Sequence, residues 1–112
     1  MPRRDWRLRV EDILAAIAAI ADYTRGMDFE AFRSDRKTVH AVAHNLMVIG
    51  EAASALPDEI QERHTRIPWQ DMRAMRNVLV HGYFGIREQI VWDTIRHDLP
   101  PLVEPLQRLA RS

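Results

Sequence analysis

Apolar residues recur at alternating steps of three and four along residues 38–56, a spacing typical of an amphipathic α-helix. The members of this apolar row are Val39, Val42, Leu46, Ile49, Ala53 and Leu56. A row of this kind lies on one side of a helix, so we expect that side to pack against other helices. Small residues beside the row, among them Gly50, allow a neighbouring backbone to approach closely.

The rest of the chain shows the same helical spacing, divided by residues that end helices. Predicted helices cover residues 7–23, 58–64, 69–81 and 87–97, with a short turn at 29–32 and a last helix that carries Leu102, Val103, Leu106 and Leu109. In the helix at 87–97 we expect Ile90, Val91 and Ile95 to face inward. Gly26 and Pro57 are predicted to end helices, and Pro100 with Pro101 to interrupt one. The sequence therefore predicts an all-α fold, an antiparallel bundle of four or five helices, with residues 1–112 as one domain.

Composition limits the class of protein and of partner. The 112 residues include no cysteine, which excludes disulfides, cysteine-ligated zinc and thiol catalysis. No apolar run is long enough to span a membrane, and no signal-peptide pattern follows the first residues, so we expect a cytoplasmic protein without membrane contact. Sixteen basic residues balance sixteen acidic ones, so any contact with RNA must use a local patch.

The predicted helix at residues 69–81 separates apolar from polar side chains. On a helical wheel Met72, Met75 and Leu79 form the core side, and the polar arc consists of Arg73, Arg76, Asn77 and His81. An arginine can bind a phosphate through two parallel hydrogen bonds, and a histidine can transfer a proton near neutral pH. Arg76 and His81 lie roughly 140° apart on an ideal helix, so either the helix is distorted near Gly82 or two chains combine their residues.

Two further patterns leave alternatives open. Glu51 can pair with Arg76 or Arg73 across the bundle or a dimer, or it can be an ordinary exposed glutamate. His40 and His44 lie one helical turn apart, a spacing that can chelate a metal, yet no second cluster completes a site. Solvent-exposed or interface histidines are the preferred interpretation, and we expect no metal and no cofactor.

The run R-N-V-L-V-H-G-Y at residues 76–83 resembles the R-x4-H-x-Y signature of HEPN-domain ribonuclease toxins, and specifically the HepT branch. Similar stretches include I-P-W at 67–69 and F-G-I at 84–86, so the resemblance covers nearly the whole chain. It implies a HEPN-like helical bundle that forms a homodimer and cleaves RNA, tRNA or mRNA, without a metal. At the position before Asn45, where the family often has arginine, this chain has His44.

The resemblance also implies roles for individual residues. Arg76 and His81 would be the catalytic pair, with Asn77 the supporting polar residue after the arginine. From the residues alone, we add Arg73 and Glu51 as supporting candidates. The partner would be MntA, a minimal nucleotidyltransferase antitoxin of a type VII-like pair, which would transfer AMP from ATP onto Tyr83. A different class of function stays open, in which the chain is a non-catalytic nucleotide-binding or docking partner of that nucleotidyltransferase.

Overall fold

A computed structural model describes residues 5–78 and 86–112 of the chain. Its α-helices are α1 (Trp6–Tyr23), α2 (Phe29–Ser34), α3 (Arg36–Ser54), α4 (Asp58–Arg63), α5 (Trp69–Ala74), α6 (Glu88–Asp93) and α7 (Val103–Arg111). Short 3-10 segments at Met75–Asn77 and Pro100–Leu102 and a π-helical turn at Thr94–Asp98 join them. The predicted all-α fold class is confirmed for the described residues.

Aspartate side chains begin the first three helices. Asp5 accepts a hydrogen bond from the backbone N–H of Arg7 at 2.9 Å, and Asp28 accepts one from Ala31 at 2.8 Å. Asp35 accepts one from the backbone N–H of Thr38 at 3.2 Å and one from its hydroxyl at 2.9 Å. These bonds satisfy donors that a helix start leaves free. The backbone N–H of Thr38, then its hydroxyl, lowers the pKa of Asp35 because both bonds favour the carboxylate.

Helix α3 lies at the centre of the fold and packs against α1, α2, α5 and α6. Every member of the apolar row predicted from the sequence is buried, at 4% exposure or less. Helix α1 contributes Ile13, Ile17 and Ile20 to the same core and also contacts α7, where Leu106 is fully buried. The predicted apolar face of residues 38–56 is therefore confirmed.

The segment at residues 87–97 differs from its prediction. We expected Ile90, Val91 and Ile95 to face inward, but Ile90 is 51% exposed while the other two are buried. Trp92, which is partly buried, packs against α2 beside them, with its ring centroid 5.1 Å from that of Phe32. Because Trp92 occupies the face toward α2, the neighbouring Ile90 is turned toward solvent.

The helix predicted at 69–81 is wrong at residues 75–78, and residues 79–81 lie outside the described residues. The α-helix ends at Ala74, and Met75–Asn77 form a 3-10 turn, with the backbone N–H of Met75 bonded to the carbonyl of Met72. Met72 and Met75 are buried, as the wheel predicts, whereas Leu79, the third residue of the predicted core side, lies outside the described residues. Arg76 itself lies in a 3-10 turn rather than an α-helix. No helix in the described ranges is long and apolar enough to cross a membrane.

Candidate functional site

Arg76 is held where the chain tightens into the 3-10 turn, directly above Gly50 of α3. A Cβ atom at position 50 would lie 2.7 Å from the backbone nitrogen of Arg76 and 3.0 Å from the carbonyl oxygen of Arg73. Only a glycine leaves room for this approach of two backbones. The small residue at position 50 thus determines how closely the arginine-bearing segment lies against α3.

The Arg76 side chain extends along the end of α3. Its Nη1 donates a hydrogen bond to Ser54 Oγ at 3.3 Å and lies 3.8 Å from Glu51 Oε1. Both side chains remain open to solvent, at 46% exposure for Arg76 and 72% for Glu51. The pairing of Glu51 with Arg76, one of the alternatives left open by the sequence, occurs within one chain.

This ion pair restrains Arg76 only weakly. An exposed pair of this kind contributes roughly 0–1 kcal/mol, because water screens the charges and both side chains lose conformational freedom. A phosphate can therefore replace the carboxylate as the partner of the guanidinium, which forms stronger bidentate bonds with phosphate oxygens. The arrangement places an arginine on the surface and leaves its guanidinium available to a ligand.

Arg73 has a different, more buried position. Its guanidinium donates to the side-chain oxygen of Gln61 in α4. The amide nitrogen of Gln61 donates to the carbonyls of Ala53 and Leu56, at 3.3 and 3.0 Å, at the C-terminal end of α3. Gln61 therefore joins α3, α4 and α5, and Arg73 is engaged in this contact.

The remaining predicted site residues are only partly described. Asn77 is exposed at the end of the 3-10 turn. His81 and Tyr83 lie outside the described residues, so the pairing of Arg76 with His81 and the role of Tyr83 stay predictions. His40 and His44 are both exposed on α3, and within residues 5–78 and 86–112 no three His, Asp or Glu side chains form a group that could hold a metal ion.

Sequence reasoning missed Ser54 and the specific contact at Gly50. Ser54 lies three residues after Glu51 and four after Gly50, so both of these positions neighbour Ser54 on the surface of α3. That spacing was the available signal for a common surface. The partner of this surface could not be read from the sequence, because it depends on how α5 packs against α3.

Comparison with known proteins finds similarity to HepT ribonucleases, both in a family model and in individual proteins. The family model described as "Ribonuclease HepT-like" matches residues 13–109. A Thermococcus cleftensis protein named "Probable ribonuclease HepT" is 38% identical over 109 residues, which is 97% of this chain and 99% of that protein. A Methanocaldococcus jannaschii protein named as a "Putative RNase" is 36% identical, covering 100% of this chain and 93% of its own length. No solved structure matches the chain significantly.

Proposed function

The chain belongs to the HepT-like ribonuclease family, and we propose that it is the RNase toxin of a HepT/MntA toxin–antitoxin pair. The observation that carries this proposal is the exposed Arg76 guanidinium, oriented by Ser54 and Glu51 at the first position of the R-x4-H-x-Y run. Family membership supports an RNA substrate, and the Arg76 guanidinium can bind one of the phosphates of that RNA.

In the proposed reaction, Arg76 binds the scissile phosphate and stabilises the negative charge that develops on it. The ribose 2′-oxygen attacks phosphorus and loses its proton, while the 5′-oxygen of the next nucleotide leaves and gains one. His81 carries one of these two protons. No step requires a metal ion. Arg76 and His81 would be brought together either by a distorted helix near Gly82 or by a second chain in a homodimer.

Tyr83 is the proposed control point. The antitoxin would transfer AMP from ATP to the phenolic oxygen of Tyr83 and release pyrophosphate. The added nucleotide would place a negative charge at the end of the motif, so it would repel RNA and block access to Arg76 and His81. Incubation with the nucleotidyltransferase and ATP should add one adenylate to the parent chain by mass spectrometry and none to Tyr83→Phe.

Cleavage of purified tRNA in EDTA tests the proposed activity. The parent should cleave, whereas Arg76→Ala and His81→Ala should each lose roughly 100-fold or more in rate. Arg33→Ala is the matched control, because Arg33 is also an exposed arginine paired with a glutamate, Glu30, at 3.4 Å. Full activity in His81→Ala would contradict the assignment.

The alternative is a non-catalytic function, as a nucleotide-binding or docking partner of the nucleotidyltransferase. The balanced net charge of the chain favours this alternative. If no variant and no parent cleaves RNA, and Tyr83 is unmodified, the chain would act as a nucleotide-binding or docking partner. His81→Lys separates the two cases, because a lysine keeps a positive charge but cannot replace the proton transfer of imidazole near neutral pH.

A further inference from the structure

A groove on a second surface of the protein is lined by arginines, the side chains best suited to bind phosphate. It is an open groove of about 460 Å³ between α7 and the loop that follows α4. Three arginines line it: Arg63 at the end of α4, Arg66 in the loop, and Arg108 in α7. Its floor is apolar, formed in part by Ile67 and Leu109, both of which are buried.

The charged side chains that line the groove are all basic, although the chain as a whole is neutral. None of its lining residues is Asp or Glu, in a chain with sixteen acidic residues. Arg108 is paired with Glu104 at 2.6 Å, one helical turn away. Within residues 5–78 and 86–112, Arg63 and Arg66 form no ion pair and no side-chain hydrogen bond, so both guanidinium groups keep all their donors for a ligand.

The loop that carries Arg66 is held in place by its own neighbours. Trp69, which is 6% exposed, donates its indole N–H to the carbonyl of His64 at 3.0 Å, and the backbone N–H of Ile67 donates to the same carbonyl at 3.1 Å. Both ends of the loop are thereby fixed to the core. The backbone that carries Arg66 is thus already fixed, so a ligand has to order only the arginine side chains when it binds.

The groove and Arg76 are carried by consecutive elements. Arg73 in α5 is bonded to Gln61 in α4, the helix that ends at Arg63. The positive surface does not continue in the other direction, since the neighbouring groove shares Arg66 but is also lined by Asp71 and Asp98. A polyanion in the groove therefore meets the carboxylates of Asp71 and Asp98 on the side beyond Arg66.

We propose that the groove lined by Arg63, Arg66 and Arg108 is a second RNA-binding surface that holds the sugar–phosphate backbone away from the cleaved bond. This inference rests on the proposed function in taking RNA as the ligand. Arginine suits the role because its planar guanidinium binds phosphate oxygens through two donors at once. The groove carries no chemistry of its own; it positions the substrate and increases affinity.

Binding of fluorescein-labelled tRNA, followed by fluorescence anisotropy in EDTA, tests the proposal. The variants Arg63→Gln and Arg66→Gln are made in a His81→Ala background, so that the RNA stays intact. Each should weaken binding about tenfold and reduce the slope of log K against log salt concentration by about one. Arg33→Gln in the same background is the control, because it makes the same change in net charge on α2. Circular dichroism checks that each variant is folded.

The outcomes separate this proposal from that of the ribonuclease activity. If Arg63→Gln and Arg66→Gln bind like the control, or if the parent binds no RNA, the groove is not an RNA-binding surface. The same result follows if the groove serves an acidic protein surface, because RNA affinity would then be unchanged. If the parent cleaves nothing yet binds RNA through these arginines, the groove is supported and the proposed cleavage is wrong.

Discussion

Gly50 and Arg76 touch through their backbones, so closely that a methyl group at position 50 would lie 2.7 Å from the Arg76 nitrogen and 2.8 Å from its Cβ. This contact joins the central helix to the segment with the first residue of the motif. It accompanies the change from α-helix to 3-10 turn at Met75 and places the guanidinium beside Ser54 and Glu51.

Gly50→Ala should therefore destabilise the protein. Alanine favours a helix over glycine by about 1 kcal/mol, but the clash is with backbone atoms that cannot rotate away, and overpacking costs typically 1–3 kcal/mol. We expect a net loss in the free energy of unfolding of about 1 kcal/mol, measured by urea denaturation, together with reduced RNA cleavage. Gly26→Ala is the contrast, because Gly26 has φ of 78° in open space. Gly26→Ala should lower the free energy of unfolding without reducing cleavage. If Gly50→Ala were more stable than the parent, the close contact between Gly50 and Arg76 would be contradicted.

Glu51→Gln should increase RNA affinity. The substitution removes the carboxylate that competes with phosphate for Arg76, so we expect binding about two- to threefold tighter and stability within roughly 0.5 kcal/mol of the parent. Glu30→Gln is a matched control, since Glu30 is equally exposed at 72% and is paired with Arg33. Affinity can be measured by titrating labelled RNA at constant ionic strength. Equal effects of the two substitutions would show that only net charge matters.

Gln61→Ala should destabilise the junction of three helices. It removes the donor to the carbonyls of Ala53 and Leu56 and the acceptor of Arg73. Since each hydrogen bond contributes about 0.5–1.5 kcal/mol, a loss of about 1–2 kcal/mol is expected in chemical denaturation. Gln89→Ala serves as the control, because Gln89 is exposed and bonded only to Asp93 among the described residues. Its effect should stay below about 0.5 kcal/mol.

The helix cap at Asp35 predicts a specific pH dependence. Hydrogen bonds from Thr38 lower the pKa of Asp35, so the folded state binds this proton less readily than the unfolded chain. The contribution of Asp35 is then complete above the ordinary aspartate pKa, about 4, and is lost as the pH falls through the lowered value. Thermal unfolding should show Asp35→Ala melting below the parent at pH 7, with a smaller difference near pH 3. A difference independent of pH would refute the charged cap.

The helical class and the buried face of α3 could be predicted from residue spacing, because a period near 3.6 places a row of apolar side chains on one side of any helix. The caps at Asp28 and the left-handed Gly26, with φ of 78°, are likewise local. Such features depend on a few adjacent residues, so they need no knowledge of what packs nearby. Ile90 shows the limit, since its exposure depends on Trp92 packing against Phe32 in another helix.

Spacing and the R-x4-H-x-Y run in the sequence were enough to predict an all-α chain and a resemblance to HepT ribonucleases. Only the tertiary structure decided that Arg76 leaves α-helical geometry, lies on Gly50 and pairs with Glu51 of the same chain. It alone brought Arg63 and Arg66 together with Arg108 in one groove. The physical reason is that periodicity states which side of a helix is apolar, whereas contacts between distant residues depend on the depth and direction in which whole helices pack.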